Sequence, residues 1–283
     1  MRFLLALVFC LIPIAAHSGV AERGTLTHGG IEREHYLFVP KGVESPALVV
    51  ALHGMGGNAK NLRFGIGLTK RAAAHGFAVV YPQGLRLQGG SRHWNAGFDY
   101  EAVDDVGYLT ALINHLANTQ GIDSNRVFVL GLSMGGYMAY HMACRGHVPL
   151  AGITSVAGRI SGRDWKHCPA EERPSLLHIH GVQDHTILYT SMQHWGDTWG
   201  GAPSVPVIMS DWAKAIGAAP VHVPPEEGLV QRHYRNEATG AQVRMIALEG
   251  FGHDWPSTQN SGYSAVETIV DFFGLSGAES PLN

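Results

Sequence analysis

Short continuous apolar runs alternate along this chain with stretches whose apolar positions recur every three or four residues. Ala47–Leu52, Phe77–Tyr81, Arg126–Leu130, Ile153–Ala157 and Leu176–His180 are mostly apolar and rich in β-branched residues, and several are bounded by glycine or proline. Runs of that length and composition read as strands buried on both faces, as in a parallel sheet. Residues 34–40 read as an earlier strand. Residues 59–75, 137–143, 204–217 and 262–274 read as helices, the first closed by Gly76. A further helix runs from Asp104-Asp105 to about Asn118, with its acids at the positive end of its dipole. Residues 230–236 and 241–248 alternate as two strands or as a hairpin around Thr239-Gly240. Strands alternating with helices predict an α/β fold with a mostly parallel sheet and helices on both faces. Residues 83–101 and 185–203 are left as long loops rich in glycine and aromatics, and loops of that length often carry function.

Composition narrows the picture. Of 283 residues, 45% are hydrophobic and 15% charged, so the chain can bury a sizeable core. A formal net charge of −3 leaves no footprint for nucleic acid or an anionic membrane. The first 18 residues carry Arg2, an apolar run from Phe3 to Ala16 and small residues after it, the pattern of a secretory signal peptide. The rest, 19–283, reads as one domain. No other segment is long and apolar enough to span a bilayer, so a membrane anchor is not expected and the protein is expected to be secreted or periplasmic. Cys10 would leave with the signal. Cys144 and Cys168 would remain in an oxidising compartment, where they are expected to form one disulfide.

The chemistry centres on Gly131-Leu132-Ser133-Met134-Gly135. This G-x-S-x-G stretch follows a predicted strand and opens a predicted helix, the context that lifts a serine nucleophile above a sheet. In an open α/β sheet the site lies at the carboxyl ends of the strands. Asp184 and His253 each follow a predicted strand, and the order Ser133, Asp184, His253 is that of α/β-hydrolases. His253 would take the proton of Ser133 and return it to the leaving group, and Asp184 would hold the imidazole. Asp104 and Asp105 are weaker acid candidates, because acids opening a helix need no catalytic role. His178 and His180 lie within a strand and read as core or supporting residues.

An oxyanion hole needs two donors. His53-Gly54-Met55-Gly56-Gly57 follows a buried strand, so the backbone N–H groups of Met55 and Met134 are the candidates. Trp94 and Trp255 are candidate walls of the substrate pocket. With 17 histidines a metal site must be weighed. His178-x-His180 and Asp184-His185 come close to an H-x-H-x-D-H metal pattern, but two extra residues displace the second pair, and no metal or other cofactor is expected.

These pieces together resemble the secreted esterases of the polyhydroxybutyrate depolymerase and feruloyl esterase type, the carbohydrate esterase family one group within the α/β-hydrolases. The resemblance spans about residues 24–272. It rests on Leu52-His53-Gly54, Trp94-Asn95-Ala96-Gly97, Val103–Tyr108, Gly121–Val127, the serine motif, His180-Gly181 with Asp184, and Gly252–Pro256. It implies the same serine, aspartate and histidine, and a carboxylester as substrate. Two departures stand out. Related sequences often carry cysteine where Met55 stands, which leaves a backbone donor intact. Polymer-degrading members commonly add a linker and a substrate-binding domain, whereas this chain ends soon after its closing helix, so soluble short acyl, hydroxybutyrate-type or hydroxycinnamoyl esters are expected. Two rival readings remain: an acyltransferase using the same acyl-enzyme, and a non-catalytic binding protein on this scaffold.

Overall fold

The computed structural model describes residues 21–86, 90–97, 103–170, 173–190 and 201–277. The predicted signal peptide lies outside the described residues, as do Trp195 and Trp199 of the predicted 185–203 loop.

In chain order the elements are β1 (Glu22–His28), β2 (Ile31–Phe38), β3 (Leu48–Leu52), α1 (Ala59–Gly65), α2 (Leu68–His75), β4 (Ala78–Pro82), β5 (Leu85–Arg86), β6 (Arg92–His93), α3 (Asp105–Gln120), β7 (Val127–Leu132), α4 (Met134–Arg145), β8 (Gly152–Val156), α5 (Gly162–His167), β9 (Ser175–Gly181), α6 (Val205–Ala215), β10 (Ala219–Val221), β11 (Leu229–Arg235), β12 (Gln242–Leu248) and α7 (Ala265–Phe272). Ten strands form one sheet in the order β1-β2-β4-β3-β7-β8-β9-β12-β11-β10. The six central strands, from β4 to β12, pair in parallel. Antiparallel pairs extend both ends. This is the mostly parallel α/β sheet, with helices on both faces, that the alternating pattern predicts, and the α/β-hydrolase fold that the resemblance implies.

The apolar runs form central strands because both of their faces are covered. In β3, Leu48, Val50 and Leu52 enter a core built with α3, α4 and α6. Val49 and Ala51 enter a second core built with α1, α2 and α7. Burying each such valine or leucine stabilises the fold by about 1.5–3 kcal/mol relative to exposure.

Several elements differ from the pattern reading. Residues 59–75 form two helices, since Gly67 adopts φ 71° and interrupts the ladder between α1 and α2. The long loop after β4 is braced by a ribbon in which β5 and β6 pair antiparallel. β1, β10 and α5 had no periodic signal strong enough to predict them. β1 and β10 are edge strands, with few or no buried positions, so they lack the apolar run that marks a central strand.

Cys144 and Cys168 form a disulfide with Cα atoms 4.7 Å apart and a sequence separation of 24. Cys144 lies in the last turn of α4 and Cys168 caps α5. The bridge therefore ties α5 to the helix that begins at Ser133.

Candidate active site

β7 ends where it must turn sharply into α4. Ser133 caps that helix at φ 54°, ψ −116°, a left-handed conformation rare for a non-glycine residue. Two glycines allow it. A Cβ on Gly131 would lie 1.9 Å from the Gly135 carbonyl oxygen, and one on Gly135 would lie 2.3 Å from that of Leu52. The strand, the elbow and β3 thus approach more closely than any side chain permits. The amide of Ser133 donates to Val156 O at 2.8 Å, which fixes the turn against β8.

Asp184 and His253 reach Ser133 because β9 and β12 are parallel neighbours with Leu248 opposite Gly181. Past those strands, Val182 N–H donates to Leu248 O and Gln183 N–H to Phe251 O, each at 2.9 Å. These bonds lock the two loops together. His253 Nε2 lies 2.9 Å from Ser133 Oγ, and His253 Nδ1 lies 2.7 Å from Asp184 Oδ2. The carboxylate is buried, while the His253 side chain keeps 24% of its surface exposed. Burial alone would raise the pKa of Asp184. Hydrogen bonds from His180, His253 and the Ile187 amide outweigh it and hold the group well below the usual carboxylate range. Such an array can take a proton from the serine hydroxyl while a buried carboxylate stabilises the resulting imidazolium.

The His53–Gly57 loop lies against the nucleophile: a Cβ on Gly54 would meet Ser133 Cβ at 3.3 Å. His53 organises this loop. Its Nε2 accepts from Gly84 N–H at 3.0 Å and from Gln83 Nε2 at 2.9 Å, so its proton sits on Nδ1, which donates to Gly54 O at 2.8 Å. Burial drops its pKa from an ordinary 6.5 to about 4, which keeps that tautomer neutral. Gly56 N–H donates to Arg92 O at 2.8 Å. Among the described residues, neither the Met55 nor the Met134 amide has an acceptor. Both are free to meet a developing oxyanion.

Trp94 does not wall a pocket. Its side chain is fully buried, and Nε1–H donates to His53 O at 2.9 Å. Its amide also donates to Met134 Sδ at 3.4 Å. It supports the His53–Gly57 loop from behind, because a residue with no exposed surface cannot line an open cleft. The segment carrying Trp94 is in turn held by Asp105, whose Oδ2 accepts from Asn95 N–H at 2.7 Å. Asp105 Oδ1 pairs at 2.7 Å with Arg33, and both side chains are buried. Asp104 caps α3 through Gly107 N–H at 2.7 Å. Neither aspartate approaches the serine. The roles of Gln83, Arg33 and His53 carried no sequence signal, since none belongs to a recognisable motif other than His53-Gly54.

Trp255 does border a cleft. About 370 Å³ of space opens beside Gly54 and Leu132, lined by the apolar Leu62, Ile66 and Trp255 and the polar Asn61, Ser257 and Asn260. A larger cleft of about 560 Å³ lies at the β10–β11–β12 edge, and none of the residues above lines it. Among the described residues, no group of three or more His, Cys, Asp or Glu is arranged to hold a metal ion. No described helix is long and apolar enough to cross a membrane.

Comparison with known proteins gives the class first. The acetyl xylan esterase from Aspergillus awamori superposes with a TM-score of 0.64 at 20% identity, covering 90% of this chain and 99% of that one. That likeness shows the α/β-hydrolase fold. In sequence, the chain is 26% identical over 234 residues to feruloyl esterase B of Neurospora crassa, covering 64% of this chain and 79% of that one. It is 30% identical over 178 residues to feruloyl esterase C of Emericella nidulans, covering 59% of this chain and 61% of that one. The chain thus spans less than two thirds of the second relative. Fold and relatives define a carboxylester hydrolase. More narrowly, residues 33–170 match the family model described as esterase PHB depolymerase.

Proposed function

We propose that this protein is an extracytoplasmic serine carboxylesterase acting through Ser133, His253 and Asp184. The observation that carries the reading is the continuous contact Ser133 Oγ–His253 Nε2, His253 Nδ1–Asp184 Oδ2, at 2.9 and 2.7 Å. His253 withdraws the hydroxyl proton as Ser133 attacks the ester carbonyl. The Met55 and Met134 amides stabilise the oxyanion, and the alcohol leaves with the proton from His253. Water then attacks the acyl-enzyme by the same route in reverse. The resident side chains supply every proton transfer, so the mechanism invokes no cofactor.

The cleft beside Gly54 and Leu132 supports a short-acyl or single-aromatic substrate class. Its lining combines the polar Asn61, Ser257 and Asn260 with the Trp255 indole. A space of about 370 Å³ at the low end of ligand sites suits a short acyl group or a single aromatic acid better than a fatty chain. Relatives named as feruloyl and acetyl xylan esterases support hydroxycinnamoyl and acetyl esters of sugars as substrates, and the family description supports hydroxybutyrate-type esters. The Cys144–Cys168 disulfide supports an oxidising compartment.

Two measurements test the reading. A fluorophosphonate should label Ser133 stoichiometrically, and Ser133→Ala should lose labelling and about 10³-fold or more of kcat while staying folded. Near-normal hydrolysis by folded Ser133→Ala overturns the mechanism. Across acetyl to palmitoyl esters, rates should fall with chain length, with methyl ferulate hydrolysed beside the short esters. A preference for palmitoyl esters overturns the assignment of the cleft.

A further inference from the structure

Behind the carboxylate of Asp184 runs a buried line of polar rings that the mechanism above does not use. Tyr140, on α4, meets His178 Nδ1 through its hydroxyl at 2.9 Å. His178 Nε2 lies 3.0 Å from His180 Nδ1, and the two rings are stacked at 5.2 Å and 4°. His180 Nε2 reaches Ile187 O at 2.8 Å and Asp184 Oδ2 at 3.3 Å. All three side chains are buried to 1% exposure or less.

The ends of this line fix its protons. A peptide carbonyl and a carboxylate can only accept, so His180 Nε2 must carry a hydrogen. With neutral rings, His180 Nδ1 then accepts from His178 Nε2–H, and His178 Nδ1 accepts from the Tyr140 hydroxyl. Every donor points the same way, toward the Ile187 carbonyl, with Asp184 Oδ2 3.3 Å from the last nitrogen. The charged and titratable groups facing the line are Arg159, Tyr137 and Tyr189, besides Asp184 and His253. Burial, with smaller contributions from His180 and Arg159, holds the His178 pKa well below its ordinary value.

Resting on the proposed triad, we infer that Tyr140, His178 and His180 form a unidirectional hydrogen-bond relay that positions and polarises Asp184, with His180 as its positioning residue. His180 clamps the 184–187 turn from one side. Within that turn, the Thr186 and Ile187 amides hold Asp184 Oδ1, each at 2.8 Å. His180 Nε2 also lies 3.3 Å from Oδ2, the atom that faces His253. Aligned donors in a water-free interior strengthen one another, so the effect reaches back to Tyr140.

The test compares His180→Leu, which removes the donor, with His180→Gln, whose amide can replace the Nε2 donor. The expected result for His180→Leu is a kcat loss of about tenfold to a hundredfold with KM within about twofold, as for one hydrogen bond to a charged group. Its acid limb in kcat/KM should move upward, because a carboxylate with one fewer donor favours the His253 imidazolium more strongly. His180→Gln should recover most of kcat and the original limb. An unchanged kcat and pH profile in folded His180→Leu, or equal losses in both variants, overturns the relay. If the variants fail to fold, the wild-type protein still decides: nitrogen-15 NMR should show His178 and His180 as neutral Nε2–H tautomers. An Nδ1–H tautomer or an imidazolium at His180 overturns it. The NMR result does not depend on catalysis, and activity surviving in Ser133→Ala would sink the triad whatever His180 shows, so the two failures are distinguishable.

Discussion

At the scale of single residues, the candidate site divides into groups that face the cleft and groups that hold them. Asp184 belongs to the second kind, and its cost of removal should show it. Asp184→Asn preserves shape but turns a carboxylate that must accept from His253 into an amide able to present its NH2 group. The wrong imidazole tautomer follows, and kcat should fall by about 10³–10⁴-fold in the folded variant. A loss below tenfold would show that Asp184 is not the orienting acid. Ser133, Asp184 and His253 were legible in the sequence because each follows an apolar run that ends in a glycine-rich turn. Trp94 misled for a related reason. It lies beside residues that approach the site, but adjacency in sequence does not say which way an indole points. Its ring turns inward to His53 O.

At the scale of elements, the site is held by contacts that join distant segments. Arg33 on β2 and Asp105 at the start of α3 form a buried pair at 2.7 Å, and Asp105 also holds the Asn95 amide. Arg33 further donates to Gln83 O at 3.2 Å and stacks over Tyr108 at 4.1 Å. Asp105→Ala leaves that guanidinium buried without its carboxylate, and should destabilise the fold by about 3–5 kcal/mol. A urea midpoint within error of wild type would refute this. The disulfide acts in the same core that α3 joins, where α4 meets α5. Replacing Cys144 and Cys168 together by alanine should cost about 2–4 kcal/mol, read from the same unfolding curve. Two thiols titrating in unreduced, denatured wild-type protein would show that the bridge does not form. The strands that flank the serine were readable because burial on both faces leaves a continuous apolar run. The split between α1 and α2 was not, since Gly67 sits in a pattern that stays amphipathic on both sides of it. The Arg33–Asp105 pair was equally hidden, because its partners are 72 positions apart and only the folded sheet brings them together.

At the scale of the whole molecule, the fold keeps a set of histidines neutral in its interior, and acid should act on all of them together. His53 falls from 6.5 to about 4, mainly through burial. His178 is held well below its ordinary value, and His35 is lowered, both chiefly by desolvation. In the unfolded chain each would bind a proton near pH 6.5. Between pH 6.5 and 4 the unfolded state therefore holds more protons than the native state, and stability must rise with pH across that window. The contribution is fully present above about pH 6.5 and is lost as pH falls toward 4. For His53 alone the difference corresponds to about 3 kcal/mol, a large share of a typical domain's stability. Asp184, held well below the usual carboxylate range, loses its contribution only at lower pH still, so the two effects are separable. Urea midpoints measured from pH 7.5 to 4.5 at constant ionic strength should therefore fall steeply below about pH 6.5, before the carboxylates titrate. A flat profile across that window would mean that these histidines can ionise in place, and that the neutral His53 tautomer assigned to the oxyanion loop is wrong.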